Sequence, residues 1–147
     1  MWRHAWLAFP LVAVLLDLVP VGPAVAEARY WTPKPGSAER SAVLDAARVP
    51  VERDLAQPIV FQVRSLRVSP EWAFLHGVPT RADGKPVDYA KSIYAEAAQD
   101  GAFSGEAAVL LARDGAGWRL ITYSVGFSDA VWDSWDEEFG APAWLWP

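Results

Sequence analysis

The stretch W-A-F-L-H-G-V-P-T, residues 72–80, has no polar face. As a strand it puts Trp72, Phe74, His76 and Val78 on one side and Ala73, Leu75 and Gly77 on the other. A strand apolar on both sides needs cover on both sides, so the sheet that contains it cannot leave one face to water. The preceding run, I-V-F-Q-V-R-S-L-R-V-S at 59–69, is β-branched and partly alternating, and only Pro70 and Glu71 separate the two. They predict a β-hairpin. A second hairpin follows from A-A-V-L-L-A-R at 107–113, the loop D-G-A-G and W-R-L-I-T-Y-S-V at 118–125, again without a wholly polar face.

Two segments can supply the cover. After an extended, proline-punctuated lead-in at 27–36, Ser37 is a good N-cap for A-E-R-S-A-V-L-D-A-A-R-V-P-V-E-R-D-L. Val43, Ala47, Val51 and Leu55 form an apolar stripe there, with Glu39, Arg40, Asp45, Arg48 and Glu52 pointing away. Pro50 is expected to kink this helix or to restart it, and Gln57 and Pro58 to end it. At the other end of the chain, S-D-A-V-W-D-S-W-D-E-E-F-G reads as a helix over 128–140. Ser128 or Asp129 is its N-cap and Gly140 its C-cap, while Val131, Trp132, Trp135 and Phe139 make its buried stripe. Residues 81–106 carry the turn signals Asp83-Gly84, Asp100-Gly101 and Ser104-Gly105, with a short helix expected at 93–99. The fold class is therefore α+β: an N-terminal helix on an antiparallel sheet of about four strands, with a C-terminal amphipathic helix.

The start of the chain reads differently. Arg3 and His4, then an apolar run, then Ala24 and Ala26 in an A-x-A arrangement are the parts of a secretory signal peptide, with cleavage expected after Ala26. An uncleaved membrane anchor is the rival reading, opposed by Asp17, Pro10 and Pro20 within the run. Residues 1–26 are thus assigned to a signal peptide and 37–147 to a single domain, in the bacterial periplasm or secreted. Membrane association is expected only if the segment stays uncleaved. No cysteine is present, so the core must hold the fold without disulfides, and the roughly 120 residues after Ala26 suffice for that. The net charge of −5 persists without residues 1–26, and there is no Lys/Arg cluster; nucleic acid is not an expected partner.

The strings P-G-S-A-E-R-S-A-V-L-D-A near Ser37, L-R-V-S-P-E-W-A-F-L-H-G near Trp72 and G-W-R-L-I-T-Y near Trp118 resemble the small α+β domains of the NTF2-like and cystatin-like kind. With W-D-S-W-D-E-E-F-G-A-P they are also similar to a group of uncharacterised exported bacterial proteins. The resemblance implies a long helix packed on a curved antiparallel sheet. Enzymes of the NTF2-like fold place an Asp or His acid/base between helix and sheet, but none of their motifs matches here residue by residue.

The chemistry-bearing residues are few. His76 is the lone histidine after residue 26, and acid/base work would need a carboxylate beside it, such as Asp88 or Asp129. Tyr94 and Tyr123 join His76 and Asp88 as candidate polar groups of a pocket. Asp133, Asp136 and Glu137 could converge on a divalent cation, but a helix offers no loop carbonyls, and a solvated acidic face is the better reading. The chain has no thiol, no G-x-S-x-G, no P-loop and no G-x-G-x-x-G, so no cofactor or metal is implied. Seven tryptophans lie beyond residue 26. Trp132 and Trp135 are expected in the core, whereas Trp31, Trp144 and Trp146 are candidates for an exposed binding surface. The leading expectation is an exported, non-enzymatic domain that binds a protein or envelope component. The alternative is a small-ligand or acid/base pocket on the same fold.

Overall fold

The computed structural model describes residues 29–147; the expected signal peptide and the first residues of the lead-in lie outside them. Helix α1 spans Ala38–Leu55, and strands β1 (Val60–Val68), β2 (Trp72–Thr80), β3 (Ala107–Asp114) and β4 (Gly117–Val125) form one antiparallel sheet in the order β1-β2-β3-β4. The α+β class and both hairpins stand as read from the sequence. No helix among the described residues is long and apolar enough to cross a membrane.

Helix α1 starts where expected, with the Ser37 hydroxyl accepting from Arg40 N. It runs as a single helix of 18 residues through Pro50, so the helix does not restart there. Proline cannot donate to the carbonyl four residues back, and only Ala46 loses its partner. Leu55 closes the helix, and Ala56 follows in the left-handed conformation at φ 55°. Glu52, expected to point away, accepts from Ile59 N and so fixes the entry into β1. Val43, Ala47, Val51 and Leu55 are fully buried against Leu66, Val68, Ala73, Leu75, Val109 and Leu111.

Each edge strand carries a β-bulge, and this explains why their alternation is only partial. In β1 the pairing passes from Val63↔Gly77 to Ser65↔His76, leaving Arg64 as the extra residue. Phe61 and Val63 therefore share the α1 face with Leu66 and Val68, although the two pairs differ in parity. In β4 the extra residue is Ile121, which keeps Trp118 and Leu120 on the same face as Tyr123 and Val125. Gly77 permits the first bulge: a Cβ there would lie 2.7 Å from the Gln62 carbonyl oxygen.

The opposite face of the sheet presents Phe74, Ala108 and Leu110 to the C-terminal segment. Here the expected helix over 128–140 is shorter and divided. A 3-10 turn at Val131–Ser134 leads into helix α2, Trp135–Phe139, and neither has a side-chain N-cap bond, so Ser128 and Asp129 are not its caps. The reason is geometric: side chains three apart eclipse in a 3-10 turn, which aligns Trp132 and Trp135 over one ring. Both stand edge-on to Phe74, at centroid distances of 5.4 and 6.3 Å. Gly140 does end the helix in the left-handed conformation, as expected. A final 3-10 turn at Ala143–Leu145 returns Leu145 and Trp146 to the same cluster.

The excursion between the hairpins contains 3-10 turns at Tyr89–Lys91 and Ala97–Gln99, not the expected helix at 93–99. Its anchor is Phe103, packed edge-on to Tyr89 and seated directly on Gly126, whose φ of +80° and lack of a Cβ are both needed.

Candidate functional site

The sequence-predicted polar residues do not converge on one pocket. His76 and the two tyrosines lie on opposite faces of the sheet. Asp88 caps the turn at Tyr89–Lys91, its Oδ1 accepting from Ala90 N, and its backbone pairs with the Gln57 side chain. It is not the partner of His76. That partner is Glu106, the residue before β3, whose Oε2 lies 2.9 Å from His76 Nε2, while its other oxygen pairs with Arg64 on the β1 bulge. The imidazole is enclosed by Trp132 and Phe127, at centroid distances of 4.9 and 5.9 Å. The pair has the composition that acid/base chemistry needs, yet His76 lines none of the cavities described below. In the sequence, Glu106 shares the two-residue phase of Ala108 and Leu110, which was the available signal.

On the α1 face Tyr94 and Tyr123 do meet, around a residue not singled out from the sequence. Asp54 is only 6 % exposed. Its Oδ2 accepts from the Tyr123 hydroxyl at 2.5 Å and the Tyr94 hydroxyl at 3.2 Å, and its Oδ1 from Arg53 Nε at 2.9 Å. Arg53 also donates to the Tyr123 oxygen, and Ile93 N donates to the Asp54 carbonyl. Burial pushes the carboxyl up, but the bonds from Tyr123, Arg53 and Tyr94 outweigh it and hold Asp54 below its ordinary range. Burial, followed by the adjoining carboxylate, raises both phenols. One carboxylate thus ties α1, the excursion and β4 together. Asp54 lies seven residues after Ala47 and three after Val51, on the apolar stripe itself, and a carboxylate in that position requires partners.

The tryptophan candidates separate as well. Trp31 is 40 % exposed, but its indole N–H donates to Glu39 and its backbone bridges Val68. Trp146 is only 7 % exposed and packs 6.2 Å from Phe74, so it is a core residue and not part of a free surface. A core clamp pulls it in: Arg67 donates to the carbonyls of Trp144 and Trp146 at 3.2 and 2.8 Å, with its guanidinium 4.5 Å from the Tyr30 ring centroid. Trp144 is half-buried against the same cluster.

Trp144 instead lines a cleft of about 620 Å³ together with Trp72, Pro70, Glu71, Pro142 and Arg29. Three segments far apart in the sequence converge here, and each is pinned. Arg67 holds the C-terminal turn, the Trp31–Val68 bridge holds the lead-in, and Ser69 locks the hairpin end. The Ser69 hydroxyl accepts from Trp72 N at 3.0 Å, and Ser69 N donates to the Trp72 carbonyl at 2.8 Å. Beside this cleft lies a second concavity of about 430 Å³, which shares Pro70, Glu71 and Trp72 and extends to Arg113, Arg119 and Ile121. The other cavities lie at the excursion. None of the five is lined by Val43, Ala47, Val51 or Leu55, which fill the space between helix and sheet. Among the described residues, no group of three or more carboxylates and histidines has the geometry to hold a metal ion.

A scan against protein-family models and searches of curated proteins and of solved structures returned no match to this chain.

Proposed function

We propose that this chain is an exported binding domain without catalysis of its own, which holds a protein or envelope component in the cleft between Trp72 and Trp144. The observation that carries this reading is the cleft's construction. Two partly exposed indoles face a cavity of about 620 Å³, on a frame already held by Arg67 and Ser69. Exposed aromatic rings in a preorganised cleft give contact area at little ordering cost. Export rests on the n-region, apolar run and A-x-A of residues 1–26. Kinship with NTF2-like or cystatin-like domains is part of the same proposal, supported by the helix-on-sheet arrangement.

Cosedimentation of the purified domain with bacterial envelope preparations tests the binding. Trp144→Ala and Trp72→Leu are expected to reduce it about tenfold or more, with the circular dichroism spectrum unchanged. Cosedimentation equal to wild type in both variants would remove the cleft from the account. Cell fractionation of the full chain, with and without residues 1–26, tests export independently.

A further inference from the structure

We propose that the cleft and the adjoining concavity take a sugar that carries a carboxylate, its ring stacked on Trp72 and its carboxylate held by Arg119; this rests on reading the cleft as a binding site. Trp72, Ala112 and Arg119 lie directly opposite one another on β2, β3 and β4. They therefore form one row on one face of the sheet. Neighbouring strands are about 4.8 Å apart, which puts the backbones of Trp72 and Arg119 about 10 Å apart. Between them stands only the methyl group of Ala112. The result is a trough with an indole at one end, a guanidinium at the other and a low floor between, continuous with the cleft through Trp72.

The charges sort the possible ligands. Arg113, which also lines the concavity, is already occupied: it pairs with Glu39, donates to the Pro70 carbonyl and lies 3.8 Å from the Trp118 ring centroid. Arg119 is exposed and makes no ion pair or hydrogen bond among the described residues, so its donors can meet a carboxylate bidentately. Glu71, between the two concavities, is also unpaired among the described residues and can accept from sugar hydroxyls. Its charge, with the net −5 of the chain, disfavours a phosphate-dense polyanion. Arg29 lines the cleft but not the concavity that holds Arg119, so on the Arg119 side one carboxylate on a hydroxylated ring fits both signs.

The backbone sorts them further. A peptide adding to the hairpin would need free main-chain groups, but the Glu71 carbonyl accepts from Arg113 N at 2.7 Å and the Trp72 carbonyl accepts from Ser69 N at 2.8 Å. Recognition is left to ring faces and side-chain polar groups, the means by which a saccharide is held.

The test is titration of intrinsic tryptophan fluorescence with trigalacturonate, with its carboxyl-reduced trisaccharide and with a decaproline peptide. Trigalacturonate is expected to bind about tenfold or more tightly than the reduced sugar. Arg119→Gln should abolish that difference while leaving the weaker binding of the neutral sugar in place. Ala112→Leu should weaken both sugars by raising the floor between Trp72 and Arg119. Equal affinity for the two sugars, unchanged in Arg119→Gln, overturns the carboxylate assignment and leaves the cleft. Preference for decaproline likewise overturns the sugar and keeps the cleft. If none of the three probes binds, the sugar proposal fails, and the envelope cosedimentation of Trp144→Ala decides separately whether the cleft binds anything.

Discussion

The two faces of the sheet are closed by different means, and the difference locates the open surface. On one face a regular helix lays an aliphatic stripe, Val43, Ala47, Val51 and Leu55, along the sheet, and these four residues are fully buried. Its one polar intrusion, Asp54, is fully satisfied by Arg53, Tyr94 and Tyr123. On the other face short turns bring Trp132, Trp135 and Trp146 onto Phe74, and Arg67 fastens the end of the chain by its carbonyls. A few large rings cover a centre well and a margin poorly. Where they stop, between Trp72 and Trp144, the cleft begins.

Trp132→Ala removes a ring against both Phe74 and His76 and is expected to cost about 3–5 kcal/mol in urea unfolding. Trp146→Ala should cost at least about 2 kcal/mol, since its ring is in the same cluster. A cost near zero for Trp146→Ala would mean that the C-terminal turn is not part of the core. Asp54→Asn keeps the volume and removes the charge that receives three hydrogen bonds; a loss of about 1–3 kcal/mol is expected.

The carboxyl of Asp54 lies below its unfolded value, so its contribution is present above about pH 4 and is lost as pH falls through the folded value. The phenols of Tyr94 and Tyr123 lie above theirs, so their contribution is complete below about pH 10 and is lost as pH rises beyond it. Urea midpoints across both windows should therefore fall more steeply for wild type than for Asp54→Asn. Parallel curves would show that the network does not couple to folding.

The smallest expected effect concerns the helix end. Ala56 adopts the left-handed conformation that glycine takes without strain, and Ala56→Gly is expected to raise stability by about 0.5–1 kcal/mol in thermal unfolding. A destabilisation of that size would show that the turn tolerates alanine at no cost.

Much of this architecture was legible in the residues. Four apolar residues at helical spacing placed α1, and two runs apolar on both faces required a sheet covered twice. Local punctuation at Ser37 and Gly140 holds, whereas the N-cap expected at Ser128 or Asp129 was lost where the packing of the tryptophans reshaped the segment. The bulges at Arg64 and Ile121 appeared in the sequence only as imperfect alternation, since their positions depend on which residue faces them across the strand pair. The division of the C-terminal helix was hidden because Phe74, far away in the chain, sets the line on which the two tryptophans must stand.

The residues alone were enough for α1, the two hairpins, their order and the demand for two covers, because strand and helix periodicity over long runs is a local property of the chain. Which partner each of the polar and aromatic side chains meets depends on how distant segments fold together. His76 pairs with Glu106 and not with Asp88, and Tyr94 and Tyr123 surround Asp54. Trp146 is buried while Trp144 lines a cleft. These outcomes follow from strand register and from the closing of distant segments on one another, and neither is encoded at any single position.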